Sequence, residues 1–144
     1  MLDIAACQQN DGTVASWILD QKQQLWCAWQ TSPGGDWSGW SGPNWNGAKQ
    51  PFQTLAASQQ GGSRGAQLWA TDQSNAVWST FQESPGGGWS GWSGPNWNDA
   101  PQLEQMAGCQ QNNGCVVMFG IDMNLMTKAT FQSSPGGDWG PWGP

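Results

Sequence analysis

The string Ser-Pro-Gly-Gly-x-Trp-x-x-Trp occurs three times, at residues 32–40, 84–92 and 134–142. Internal repetition on this scale constrains the fold more than any local preference, because each copy carries the same instructions and buries its apolar faces on its neighbours. The register extends well beyond the motif. Gln30, Gln82 and Gln132 precede it at offsets of 52 and 50 residues, and immediately before them stand Trp29, Phe81 and Phe131. Further back, Asp20, Asp72 and Asp122 align, each three residues after an aromatic (Trp17, Trp69 and Phe119). Gln8-Gln9, Gln59-Gln60 and Gln110-Gln111 also align, each followed by a Gly- or Asn-rich turn.

Each copy reads as four short antiparallel strands. In the first these are residues 3–9, 13–19, 24–31 and 37–41, separated by turn-forming compositions such as Asn10-Asp11-Gly12 and Ser32-Pro33-Gly34-Gly35. No segment keeps a helical apolar period. The chain is therefore expected to be all-β: one repeat domain over 1–144, with units at approximately 1–50, 51–101 and 102–144. Four strands per repeat describe a β-propeller blade. A β-trefoil also has three four-stranded repeats and stands as the alternative, but the Pro-Gly-Gly turn followed by a Trp-x-x-Trp strand favours the propeller.

Thirteen Trp and twenty-one Gly accompany no His and no Tyr, so indole rings must supply much of the core. Lacking His, and with few scattered carboxylates, the sequence points away from an enzyme, a metal centre or a cofactor. Four cations against a net charge of −6 cannot neutralise a run of phosphates, so nucleic acid is not an expected partner. No stretch is long and apolar enough for membrane insertion. The opening residues show no basic or apolar signal region, which makes the expected location cytoplasmic, or outside the cell by a non-classical route. Cys7 and Cys109 are equivalent positions in different units. Cys109 and Cys115 flank a predicted hairpin turn, and both a disulfide across it and two buried thiols stay open.

A strand ending in Trp-x-x-Trp-Gln, a Ser-Pro-Gly-Gly turn and then Trp-Ser-Gly-Trp resembles the repeat of the PLL-like (Photorhabdus-type) β-propeller lectins, over nearly the whole chain. The resemblance implies four-stranded blades around an axis, with Trp-lined sites between blades for fucose or O-methylated monosaccharides, free or on glycoconjugates. Two features depart from that family: three blades where it has seven, and Ser-Gly-Pro-Asn-Trp-Asn after the motif in place of Leu-Gly-Gly.

Three blades leave two apolar faces wet, so a twofold homodimer closing a six-bladed ring is the expected assembly. A linker Pro-Asn-Trp-Asn follows the first two motifs and not the third, which fits such a junction between chains. A fragment of a longer propeller is the competing reading. The ring would offer up to six sites, or four if the linker Trp is required.

Candidate ligand-binding residues are Trp37, Trp89 and Trp139 with Trp40, Trp92 and Trp142, which stay Trp in every copy. Spacing of three puts each pair on opposite faces of an ideal strand, one packing and one reaching solvent. Trp45 and Trp97 in the linker are pocket walls or staples between blades. Gln30, Gln82 and Gln132, with Asn44 and Asn96 (and Asn46 and Asn98), are polar candidates, although a strand-end Gln serves a backbone turn equally well. Trp17, Trp69 and Phe119, and Trp29, Phe81 and Phe131, interchange Trp with Phe and are expected in the core. Trp26 and Trp78 align with Lys128, which marks an exposed position. Two other functions compete: a protein interaction module without sugar binding, and a glycan-active enzyme using Asp20, Asp72 and Asp122, which more plausibly cap turns.

Overall fold

The computed structural model describes residues 2–144. Among these described residues, nine strands form three antiparallel sheets. The first holds β1 (Asp3–Gln8), β2 (Val14–Leu19) and β3 (Leu25–Trp29); the second β4 (Phe52–Gln59), β5 (Ala66–Asp72) and β6 (Val77–Phe81). The third holds β7 (Leu103–Gln110), β8 (Val116–Asp122) and β9 (Thr127–Phe131). The leading strands lie side by side, β1 against β4 and β4 against β7. Asp3 ties the first pair, its Oδ2 accepting the Leu55 N–H at 2.8 Å. Among the described residues, helix is confined to single 3-10 turns at Trp45–Gly47 and Trp97–Asp99, and no helix is long and apolar enough to cross a membrane.

The expected fourth strand is not a strand. Residues 37–41 run beside β3 with two isolated bridges, Cys27 with Ser41 and, just past the strand end, Gln30 with Trp37, and one further bond from the Ser38 N–H to Trp29 O at 2.7 Å; the other two copies repeat this. Between those bridges the outer segment advances four residues against three on β3, so one residue bulges out and the ladder breaks. Ser38 patches the gap, its Oγ accepting the Trp29 N–H at 3.0 Å. The bulge also cancels the expected alternation. Trp89 and Trp92 both pack on the first sheet's core cluster, and Trp139 and Trp142 both pack on the second's.

The Ser-Pro-Gly-Gly string makes a type II turn, with Pro33 at its second position, Gly34 at φ +67° and the Gly35 N–H donating to Ser32 O at 2.9 Å. Only a residue without Cβ takes that φ without strain, which explains the Gly at positions 34, 86 and 136.

The recurring aspartates close the turn after each middle strand. Asp20 Oδ1 accepts the N–H groups of Lys22 (2.8 Å) and Gln24 (3.0 Å), and Oδ2 accepts Trp26 Nε1 at 2.9 Å. Asp72 repeats the pattern with Ser74, Ala76 and Trp78. Asp122 does so with Asn124 and Met126, and there Lys128 Nζ stands 3.8 Å from Oδ2. Trp, Trp and Lys thus exchange because each brings a donor to the same carboxylate; half-buried in all three copies, the position is not the exposed one expected.

For Asp20 and Asp122 these bonds favour the ionised form. The Trp26 indole N–H, above all, holds the Asp20 carboxyl below the usual 3.8, and the Met126 N–H does so for Asp122. A depressed folded-state value gives stability that is complete above the unfolded value and is lost as pH falls through the folded one. Thermal midpoints should therefore hold steady down to about pH 4 and drop below it. The double variant Asp20→Asn/Asp122→Asn should start lower and lose less across that window. Parallel acid-side curves for the two proteins would contradict this role.

The middle strands explain where the core sits. Their odd positions face the following sheet, and their even positions face the preceding one. β5 is buried on both sides, with Leu68, Trp69, Ala70 and Thr71 all at 0% exposure. On β2, Trp17 and Leu19 face the second sheet at 0%. Their counterparts on β8, Phe119 and Ile121, are 47% and 40% exposed, so the core position expected for Phe119 is open. The chemistry is equally apolar, but no fourth sheet covers it.

All four cysteines are free. Cys109 stands opposite Val117 and is exposed, whereas Cys115 is buried and pairs with Gln111 through the Gln111 N–H. The hairpin register is thus two residues away from placing the thiols face to face, and neither a disulfide nor a pair of buried thiols results. Burial pushes the Cys7 and Cys27 thiols, on strands flanking β2, up to about 12.

Candidate functional site

Each junction between sheets is built on three indoles. Trp17 comes from the middle strand, Trp45 from the linker turn and Trp89 from the outer segment of the following unit. Their ring centroids lie 6.0, 5.5 and 5.0 Å apart at interplanar angles of 65–80°. Trp69, Trp97 and Trp139 repeat this at 5.9, 5.7 and 5.1 Å. Edge-to-face packing of this kind adds about 0.5–1.5 kcal/mol per pair beyond the area buried. The linker is fixed from the far side: Asn46 Nδ2 donates to Thr80 Oγ1 and Ser90 O, both at 3.0 Å, and Asn98 does the same to Thr130 Oγ1 and Gly140 O.

Beside each triad opens a cleft. The first, about 530 Å³, is lined by Gln9, Asp11, Thr13, Ala15, Cys27, Trp29, Gln30, Thr31 and Trp45 from one unit and by Gln82, Gly86, Gly87 and Trp89 from the next. The second, about 470 Å³, has Gln60, Arg64, Gln67, Phe81, Trp97 and Asn98 facing Gln132, Gly136, Gly137, Asp138 and Trp139. Each has an aromatic wall, several amides and a carboxylate, the build of a pocket for a small polar ligand.

The sequence candidates divide in two. Trp45, Trp89, Trp97, Trp139, Gln30, Gln82 and Gln132 all line these clefts. Trp40, Trp92, Trp142, Asn44 and Asn96 do not. Trp92 lies on Phe52 at 5.0 Å, Trp142 packs on the second core cluster, and Trp37 and Trp40 stand 49% and 51% exposed at the free face of the first unit. Asn44 edges a smaller, separate hollow beside Lys22 and Lys49. Asn44 and Asn96 are exposed and adopt left-handed backbone ahead of the linker turn, with no capping bond from either side chain.

The three glutamines hold the clefts' floor. Gln30 Oε1 accepts the Val14 N–H at 3.1 Å, and the same bond recurs from Ala66 to Gln82 (3.2 Å) and from Val116 to Gln132 (2.9 Å). Their Nε2 groups reach Gly35, Gly87 and Gly137 carbonyls in the motif turn. The strand-end position expected in the core is the main correction. Trp29 is 40% exposed and lines the first cleft, Phe81 lines the second, and Phe131 is 59% exposed. These are the last residues of β3, β6 and β9, where the sheet ends and the cleft begins. Gln9, Asp11 and Arg64 were not singled out by sequence reasoning. The aligned Gln-Gln pairs were the available signal for Gln9, whereas Arg64 sits in a turn one residue longer than its counterparts, which carry no cation.

No protein-family model matches the sequence, and no curated protein matches it. The fold, however, is that of chains solved as lectins. It is similar to the BP39L lectin from Burkholderia pseudomallei, with a TM-score of 0.60 and 20% identity over 96% of this chain and 39% of that one. It is also similar to a fucose lectin from Kordia zhangzhouensis in complex with methyl-fucoside, with a TM-score of 0.62, 10% identity, and 97% and 96% of the two chains covered. AofleA from Arthrobotrys oligospora gives a TM-score of 0.63 at 11% identity, over 96% of this chain and 41% of that one. The chain thus spans about two fifths of the length of BP39L and AofleA and nearly all of the Kordia lectin.

Proposed function

We propose that this chain is a non-enzymatic lectin of the β-propeller type, with its saccharide sites in the clefts between successive sheets. The observation that carries this reading is the exposed indole of Trp29 on the wall of a 530 Å³ cleft whose other lining groups include Asp11, Thr31 and Gln9. An indole face takes the C–H side of a pyranose, and flanking donors and acceptors select its hydroxyls. The fold shared with lectins supports the class, and the methyl-fucoside in the Kordia complex supports fucose or an O-methylated monosaccharide as the ligand. The repeat string supports kinship with the Photorhabdus-type lectins in particular. Against a glycan-active enzyme stands the use of Asp20, Asp72 and Asp122, whose carboxylates are spent on turns.

The working object is a ring of two chains, six units in all. Units two and three pack both Trp of their motif, half-buried, on the preceding sheet, whereas Trp37 and Trp40 of unit one stand exposed. Binding to an array holding fucosides and O-methylated sugars, competed by free fucose, is the expected result. An array without a single bound glycan would overturn the lectin reading, and capture of a protein partner indifferent to free sugar would replace it with an interaction module.

A further inference from the structure

The two clefts occupy equivalent places in the repeat, but their chemistry is not equivalent. In the second, Gln60 uses both ends of its carboxamide: Oε1 accepts Gln132 Nε2 at 2.9 Å and Nε2 donates to Gln67 Oε1. Gln67 passes the chain on to Ser79 Oγ at 2.7 Å. The aromatic wall is also taken, because the Arg64 guanidinium carbon lies 3.9 Å from the Phe81 ring centroid, with Nε held by Gly136 O at 3.0 Å. Polar groups and ring face are thus satisfied from within the protein.

In the first cleft Gln67, Ser79 and Arg64 have no equivalent side chain, and only Gln82, the counterpart of Gln132, is kept. Ala15 and Cys27 stand where Gln67 and Ser79 stand in the second, and Gly12 precedes the strand where Arg64 does. Gln9, the counterpart of Gln60, is only 5% exposed, and its Oε1 is enclosed with no partner among the described residues. Nor does the amide nitrogen of Gln82 supply one, since it donates to Gly87 O at 3.3 Å. An unpaired buried acceptor carries an unmet desolvation cost, and a ligand group that pairs it removes that cost on binding. Trp29 is left uncovered at 40% exposure, and the cleft is larger, at about 530 against 470 Å³.

We infer that only the first cleft is open to a saccharide, with Trp29 as its platform and the Gln9 carboxamide as its hydroxyl anchor, while Gln67 and Arg64 occupy the second in the ligand's place. The inference rests on the lectin reading and sharpens it: the selectivity lies in which copy of the repeat lacks its own plug. A hydroxyl suits Gln9 because it donates to Oε1 and accepts from Nε2 after a small turn of the carboxamide.

Calorimetric titration of the whole chain with methyl-fucoside, counting sites per chain, tests this. Ala15→Gln plugs the first cleft and should remove one site. Arg64→Gly/Gln67→Ala unplugs the second and should add one, a gain that misfolding cannot imitate. Gln9→Leu, which keeps the volume, should weaken binding at least tenfold with circular dichroism unchanged. Should Ala15→Gln fail to fold, the other two variants carry the test. An unchanged count in the unplugged double variant, or unchanged affinity in Gln9→Leu, overturns the inference and leaves the lectin reading standing. Absence of binding in every version overturns the lectin reading itself.

Discussion

Trp69→Ala is expected to destabilise the chain by about 3–5 kcal/mol, the cost of removing a fully enclosed large aromatic. Trp69 is at 0% exposure, and both Trp97 and Trp139 lean on its ring. Its removal therefore takes away one side of two aromatic pairs as well as the buried area, in the sheet that is buried on both faces. A domain of this size holds about 5–15 kcal/mol in all, so the substitution consumes a large share of it. In a repeat array the loss is specific to one junction, here that of the second and third units. Trp69→Phe should cost much less, because the third copy carries Phe119 at the same place. Phe119→Ala, on a ring already 47% exposed, should cost least in the isolated chain. Denaturant unfolding of the three variants gives the order, and a Trp69→Ala loss below about 1 kcal/mol would refute the triad as the centre of the junction.

That contrast also marks how far the sequence could be read. Repeat register, the first three strands of each copy and turn chemistry were legible, because Pro-Gly-Gly, the aligned aspartates and the alternating middle strands act locally. Asp20 closes its own turn within six residues, and nothing distant alters that. The fourth strand failed for a reason also written locally but easily missed: one extra residue between Trp37 and Ser41 breaks the ladder and swings both tryptophans to one side. What sequence could not supply was the difference between equivalent positions. Trp29, Phe81 and Phe131 look alike along the chain, yet one is open, one is capped by Arg64 and one faces solvent. Likewise Trp17 and Phe119 share a register and differ only in whether a further sheet lies against them. The second contrast depends on the neighbour across the junction, some 50 or more residues away, and the capping of Phe81 depends on a turn residue of its own unit that the other copies lack.

The same dependence predicts the assembly. The molar mass in solution should be about 31 kDa, twice the chain's 15.5 kDa. The first unit's free face shows Ile4, Trp37 and Trp40 at 66%, 49% and 51% exposure, while the equivalent Leu55 and Met106 are at 5% and 9%. At the other end, Phe119 and Ile121 lie open where Trp17, Leu19, Trp69 and Thr71 are at 0%. Each end is thus half of a junction that the chain itself builds twice, with Trp89 on Trp17 and Trp139 on Trp69. A second copy placed by the same operation would set Trp37 on Phe119 of its partner, and a twofold axis would make this contact twice. Buried Trp anchors of this kind are worth about 2 kcal/mol or more each, and a carboxylate in their place adds an unpaired buried charge. Trp37→Asp and Phe119→Asp should therefore each weaken the dimer at least about 100-fold, which is roughly 2.7 kcal/mol. An equimolar mixture of the two variants distinguishes this arrangement from any side-by-side contact. In the mixed dimer both damaged faces meet at one junction, and the other junction is wholly native. Sedimentation should then recover a dimer from two monomeric proteins. Variants that stay monomeric when mixed would exclude the head-to-tail ring, and single variants that remain dimeric would exclude both faces from the interface.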